Sequence, residues 1–166
     1  MKTLYVIRHA KSSWSDPELS DRDRPLNKRG KRDAPFMAKL LRGKGLQPDL
    51  IMSSPAVRAL TTARHFAAVW DVPGKEIRTE ERIYGAQTSD IQQLVTQLDK
   101  DLEVVYLFGH NPTFTTFVNL FAPEYIPNLP TCGIVQLQAA VDTWTSFNEQ
   151  TARLVAFHYP KQYFPK

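Results

Sequence analysis

The chain has 166 residues, 42% of them hydrophobic and 23% charged, with a net charge of +4. That is enough for one soluble globular domain, read over residues 1–166, with a core that needs no metal or disulfide staples. A single cysteine, Cys132, excludes a disulfide framework and fits a reducing, cytoplasmic setting, and no apolar run approaches the length of a membrane span.

The first predicted element is the strand "TLYVIR", which runs straight into Arg8-His9. Residues 1–32 carry nine Lys or Arg against four Asp or Glu, so the basic excess is local to this end of the chain. Such an excess is either a solvated face or an attraction for an anion, phosphate above all. It lacks aromatic interleaving and matches no nucleic-acid-binding module, so neither nucleic acid nor membrane is an expected partner.

From Asn27 the pattern turns helical, with Phe36, Met37, Leu40 and Leu41 on one face and Gly43 and Gly45 at its end. "DLIMSS" is a second strand. Ser54-Pro55 then reads as a cap and first helical position, before a helix presenting Ala56, Ala59, Leu60 and Ala63. A weak strand lies within Glu76–Tyr84, and Ile91, Leu94, Val95 and Leu98 follow at helical spacing. "EVVYLFGH" is the strongest strand pattern, and Asn111-Pro112 opens another helix. "GIVQLQAAV" and "ARLVAFHY" are strands that close the sheet. The segment "APEYIPNLPTCG" between them reads either as a rim loop or as a plain connection.

Strands alternating with helices predict an α/β domain with a largely parallel sheet, its ligand lying beyond the carboxyl ends of the strands. Those ends carry Arg8-His9, then Ser53-Ser54-Pro55 with Arg58 one turn on, then Gly109-His110. Two arginines supply planar donor forks for phosphate oxygens, and the start of the helix at Arg58 adds partial positive charge. A neutral histidine can attack phosphorus through a nitrogen that keeps its lone pair, while a second, protonated one stabilises the transferring group. A metal site is the competing reading of two histidines. The chain has no His or Cys spacing that suits one, and paired guanidinium groups repel a cation. His65 and His158 are read as structural, and Cys132 as incidental to any motif.

These residues resemble the histidine phosphatase superfamily, which includes cofactor-dependent phosphoglycerate mutases. Arg8-His9-Ala10 stands where that family has R-H-G, "SSPAVRALTTA" matches S-S-P-x-x-R-A-x-x-T-A, and "FGHNP" supplies the late G-H. The likeness spans roughly residues 1–120. The short chain and "SDRDRPLNKRG" are most similar to the small SixA-type branch of bacterial phosphohistidine phosphatases.

The resemblance implies a three-layer α/β/α fold, with His9 as the phosphorylated nucleophile and Arg8, Arg58 and His110 as the phosphate pocket. Arg24 either reaches that pocket or only caps it. It implies no cofactor and no metal. Two positions depart from the family pattern. Ala10 replaces a glycine, which would matter if the backbone there were left-handed. The proton donor of many relatives has Glu81 as its nearest counterpart, with Arg82 beside it offering a surface ion pair instead.

A phosphohistidine leaves as imidazole and needs no positioned acid, whereas a sugar or glycerate hydroxyl does. The expected activity is therefore hydrolysis of protein phosphohistidine. A phosphomonoesterase for small phosphate esters is the alternative on the same scaffold, and a non-catalytic phosphate-binding module is the alternative of a different class.

Overall fold

A computed structural model describes residues 1–164. The elements run β1 (Lys2–Arg8), α1 (Lys28–Lys44), β2 (Leu50–Ser53), α2 (Val57–Val69), β3 (Arg78–Thr79), α3 (Thr88–Thr96), β4 (Val104–Gly109), α4 (Thr113–Asn119), β5 (Ile134–Ala139) and β6 (Ala152–His158). One six-stranded sheet has the order β3-β2-β4-β1-β5-β6. The pairs β1/β4, β2/β4 and β2/β3 are parallel, and β5 runs antiparallel to both its neighbours. Five strands therefore share one direction, as the alternating pattern predicts.

β1 is buried on both faces because it lies mid-sheet. Its period-2 alternation sends Leu4 and Val6 into one core and Tyr5 and Ile7 into the other. On the Tyr5 side, α1 contributes Met37, Ala38 and Leu41, and α2 contributes Ala63, Phe66 and Ala67. On the Leu4 side, α3 and α4 contribute Ile91, Leu94, Phe114 and Phe117, joined by Trp144 and Phe147. Helices on both faces make the α/β/α sandwich. Each large apolar side chain buried in these layers contributes about 1.5–3 kcal/mol.

Several local expectations shift in the structure. α2 begins at Val57 with Ala56 at the cap, so Ser54-Pro55 precedes the helix rather than opening it. Ser54 Oγ accepts from the Ala56 N–H at 3.2 Å but also meets a histidine, described below. Gly43 lies within α1, and Gly45 alone ends it. The side chain of Asn111 accepts from the Thr115 N–H at 3.2 Å, close to the capping role expected of it.

One glycine has a clear steric reason. A Cβ on Gly30 would drive into the Lys11 carbonyl oxygen, so only glycine lets the start of α1 lie against the loop after β1. Asn27 caps that helix by accepting from the Gly30 N–H at 2.9 Å.

Candidate active site

Sheet register brings the two histidines together. Arg8 of β1 pairs with Gly109 of β4, so His9 and His110 leave adjacent parallel strands side by side. The His9 N–H donates to the Gly109 carbonyl at 3.1 Å, and the Ser54 N–H donates to the Phe108 carbonyl at 3.0 Å. Gly109 is needed there because a Cβ would collide with Phe114 and Ile83. The rings of His9 and His110 end with centroids 5.2 Å apart.

Around them is a cavity of about 370 Å³ lined by Arg8, His9, Arg24, Arg58 and His110, together with Lys11, Trp14 and Asp21. Four cations face one carboxylate, an excess of three positive charges. The structure thus gathers five of the six residues singled out from sequence. It leaves Glu81 outside: that carboxylate is 70% exposed and forms an ion pair with Arg22. Arg82 pairs with Glu80 instead, so the surface ion pair expected of Glu81 exists, but with a partner from another part of the chain.

His9 is held for one role. Its Nδ1–H donates to the Ala10 carbonyl at 2.7 Å, which leaves Nε2 with its lone pair. Burial, then the nearby His110, Arg58 and Arg8, lower its pKa to about 3, so the ring is neutral at ordinary pH. Ala10 itself is fully buried, and its N–H donates to Thr62 Oγ1 at 3.0 Å. Among the described residues, the non-glycine positions with positive φ are Asp71 and Cys132. Ala10 is therefore in an ordinary conformation, and the missing family glycine carries no backbone cost.

His110 departs from expectation. Burial, followed by the charge of Arg58, lowers its pKa to about 4, so it is neutral rather than protonated in the free protein. Its Nε2 lies 2.7 Å from Ser54 Oγ. Because Ser54 Oγ already accepts from the Ala56 N–H, its own hydrogen satisfies Nε2 best, which places the His110 hydrogen on Nδ1. A neutral His110 can then donate to a phosphoryl oxygen.

Three of the four buried side-chain nitrogen or oxygen atoms without a partner among the described residues belong to this cavity: Arg8 Nε, Arg58 Nε and His110 Nδ1. Arg58 is buried and aligned by Asp21, with Nη1 donating to the backbone carbonyl at 2.6 Å and Nη2 to the carboxylate at 3.0 Å. A hydrogen bond from the Tyr84 hydroxyl, then the hydrogen bond and charge of Arg58, hold the Asp21 carboxyl well below its usual range. Arg24 spends its donors on the wall. Nη1 bonds Ser12 Oγ at 2.7 Å, Nε bonds Asp21 at 3.1 Å, and the guanidinium lies 3.5 Å from the centre of the Trp14 ring.

Asp21 has no role in the sequence reading, Ser54 is read there only as a helix cap, and Cys132 is read as incidental. Asp21 was visible in "SDRDRPL" as a carboxylate between cations, yet nothing local says that it spans to Arg58. Cys132 is not incidental. Its backbone is left-handed at φ 59°, and its N–H donates to the Arg8 and His9 carbonyls at 3.1 and 3.0 Å, bracing the end of β1. Burial pushes its thiol pKa far up, so the braced position has no reactive sulfur. His65 and His158 lie outside this cavity, and His158 meets the Tyr163 hydroxyl at 3.1 Å.

A doubly covered, mostly parallel sheet with a cation-rich pocket at its strand ends and a neutral, oriented histidine within it defines a phosphoryl-handling class of protein. Residues 4–108 match the model of the histidine phosphatase superfamily, branch 1, and the chain belongs to that superfamily. It is 30% identical to an uncharacterized protein of Mycobacterium tuberculosis, over 93% of this chain and 100% of the other. Among solved structures, it is similar to the putative phosphohistidine phosphatase SixA from Agrobacterium tumefaciens, with a TM-score of 0.81, 27% identity, and coverage of 96% and 98% of the two chains. The protein histidine phosphatase SixA complexed with tungstate shares the fold, with a TM-score of 0.72 at 19% identity and coverage of 93% and 95%. Among the described residues, no helix is long and apolar enough to cross a membrane.

Proposed function

We propose that the protein hydrolyses phosphohistidine on protein substrates through a phosphohistidine intermediate on His9. The observation that carries the proposal is the combination at the strand ends. His9 Nε2 is a free lone pair fixed by the Nδ1–Ala10 bond, and it shares its cavity with the unpartnered donors of Arg8, Arg58 and His110.

In the first step, His9 Nε2 attacks phosphorus, and the bond from phosphorus to the substrate's imidazole nitrogen breaks. The substrate ring carries a proton on its distal nitrogen into the step and so leaves as neutral imidazole. The guanidinium groups of Arg8 and Arg58 and the Nδ1–H of His110 bind the equatorial oxygens, where charge is spread in the transition state. In the second step, water attacks phosphorus, the bond to His9 Nε2 breaks, and inorganic phosphate leaves with the His9 lone pair restored.

The substrate class follows from proton supply. Among the described residues lining the cavity, Asp21 is the sole carboxylate, and its environment keeps it ionised. It has no proton to give an alkoxide. An imidazole leaving group needs none from the protein, so the pocket favours phosphorus–nitrogen over phosphorus–oxygen cleavage. The likeness to SixA supports the same reading.

Phosphate release from a phosphohistidine peptide and from a serine phosphate peptide of identical sequence tests this. The expected result is turnover of the first at least a hundredfold faster. Equal turnover of the two, or preference for the ester, would replace this reading with a small-ester phosphatase.

A further inference from the structure

A second, larger trough of about 720 Å³ adjoins the phosphate pocket, and the two share Arg8, Lys11 and Thr131. The chemistry described above leaves it unused. Arg29 and Arg32 from α1 and Lys161 after β6 complete its basic lining, so five cations face one carboxylate, Asp33. Asp33 is almost fully buried, with Arg32 Nη2 at 2.8 Å and Arg29 Nε at 3.8 Å. One carboxylate serves two arginines that both stay half exposed, so their charge is only partly compensated.

Both guanidinium groups are also held in place. Arg29 donates to Thr131 Oγ1 at 3.2 Å, and Arg32 lies over the Phe164 ring at 4.2 Å. Lys161 is exposed and forms no ion pair among the described residues. Ordered, under-neutralised forks beside a reaction pocket suit carboxylates.

The trough does not end there. It shares Asn128, Pro130 and Tyr159 with a third cavity of about 520 Å³, whose walls include Tyr125, Ile126, Leu154 and Phe157. Phosphate pocket, basic trough and apolar shelf are neighbours, each sharing wall residues with the next. Each chamber alone is large enough for a small ligand, and together they exceed what one phosphate ester could fill.

We propose that the trough is a specificity subsite for acidic side chains flanking the phosphorylated residue of a polypeptide substrate. The proposal rests on the reading that the substrate is a phosphoprotein, and it adds which phosphoproteins are preferred.

Two phosphohistidine peptides of equal length test it, one with Glu and Asp flanks and one with Gln and Asn, beside p-nitrophenyl phosphate and 3-phosphoglycerate. Wild-type kcat/KM should favour the acidic peptide, and the preference should fall as salt rises. Lys161→Glu should lower kcat/KM for the acidic peptide by about fivefold, the factor expected of an exposed charge pair, and leave the neutral peptide and both small esters unchanged. Lys161→Gln should fall between.

Equal hydrolysis of the two peptides would overturn the subsite and leave the phosphohistidine phosphatase reading intact. Hydrolysis of the esters but of neither peptide would overturn that reading, and the subsite with it. An equal loss on 3-phosphoglycerate in Lys161→Glu would assign the trough to small phosphorylated carboxylates instead.

Discussion

Thr62→Val probes how the backbone around His9 is held. Thr62 is fully buried in α2, and its hydroxyl accepts from the Ala10 N–H at 3.0 Å while donating to the Arg58 carbonyl at 2.8 Å. Valine has nearly the same shape but no acceptor, so the Ala10 N–H is left buried and unpaired. An orphaned buried donor costs about 1–3 kcal/mol. For a domain of this size, a 2 kcal/mol loss lowers Tm by about 4–8 °C. The same residue carries, on its other side, the carbonyl that fixes the His9 tautomer. Losing 1–2 kcal/mol of that positioning should slow phosphoenzyme formation by about 5–30-fold. Thr62→Ser keeps both hydrogen bonds and gives up one methyl group, at about 1 kcal/mol or less. Rapid-quench phosphoenzyme formation and urea unfolding, measured on both variants, decide the matter. Wild-type rate and stability in Thr62→Val, or equal damage in both variants, would refute the reasoning.

Glu81→Gln should leave the urea midpoint essentially unchanged, because it breaks one exposed ion pair with Arg22, and phosphohistidine turnover should stay within about twofold. Steady-state kinetics check this, and a large loss would return Glu81 to the catalytic machinery. Gly30→Ala should destabilise the fold by about 1–3 kcal/mol, visible in the urea midpoint, since its Cβ displaces α1 from the Lys11 carbonyl. Stability should also decline in acid. The pKa values of His9 and His110 are lowered to about 3 and 4, so between those values and about 6.5 the unfolded chain binds protons that the native state refuses. Their contribution is complete above about pH 6.5 and is lost as pH falls toward 3, by about 1.4 kcal/mol per pH unit for each histidine in mid-window. Urea unfolding from pH 7 to 4 measures the slope, and His110→Gln should roughly halve it.

Much of the site was legible because parallel sheets place strand ends at one rim. Arg8-His9 and Gly109-His110 follow apolar runs, and the β1/β4 register makes them neighbours. Arg58 was legible from its place just after a strand. What stayed hidden depends on contacts distant in sequence. The Arg22–Glu81 pair joins residues 59 positions apart, and the bond from Asp21 to Arg58 spans 37. Propensity carries no such information. The neutral state of His110 in the free protein was not legible, because residue type gives a usual pKa while burial and a neighbouring arginine lower it. Ala10 raised a concern that only its φ could remove. Cys132 looked idle because its part is played by a backbone N–H, which any residue but proline could supply.

In the proposed mechanism His9 Nε2 takes the phosphoryl group. Mass spectrometry of the protein, quenched without acid after brief exposure to a phosphohistidine peptide, tests it most directly when paired with NMR to identify the ring nitrogen. One phosphoryl group on His9 Nε2, formed and lost at the turnover rate and absent in His9→Ala, is the expected result. Turnover that persists in His9→Ala, or a phosphoryl group on another residue, would contradict it.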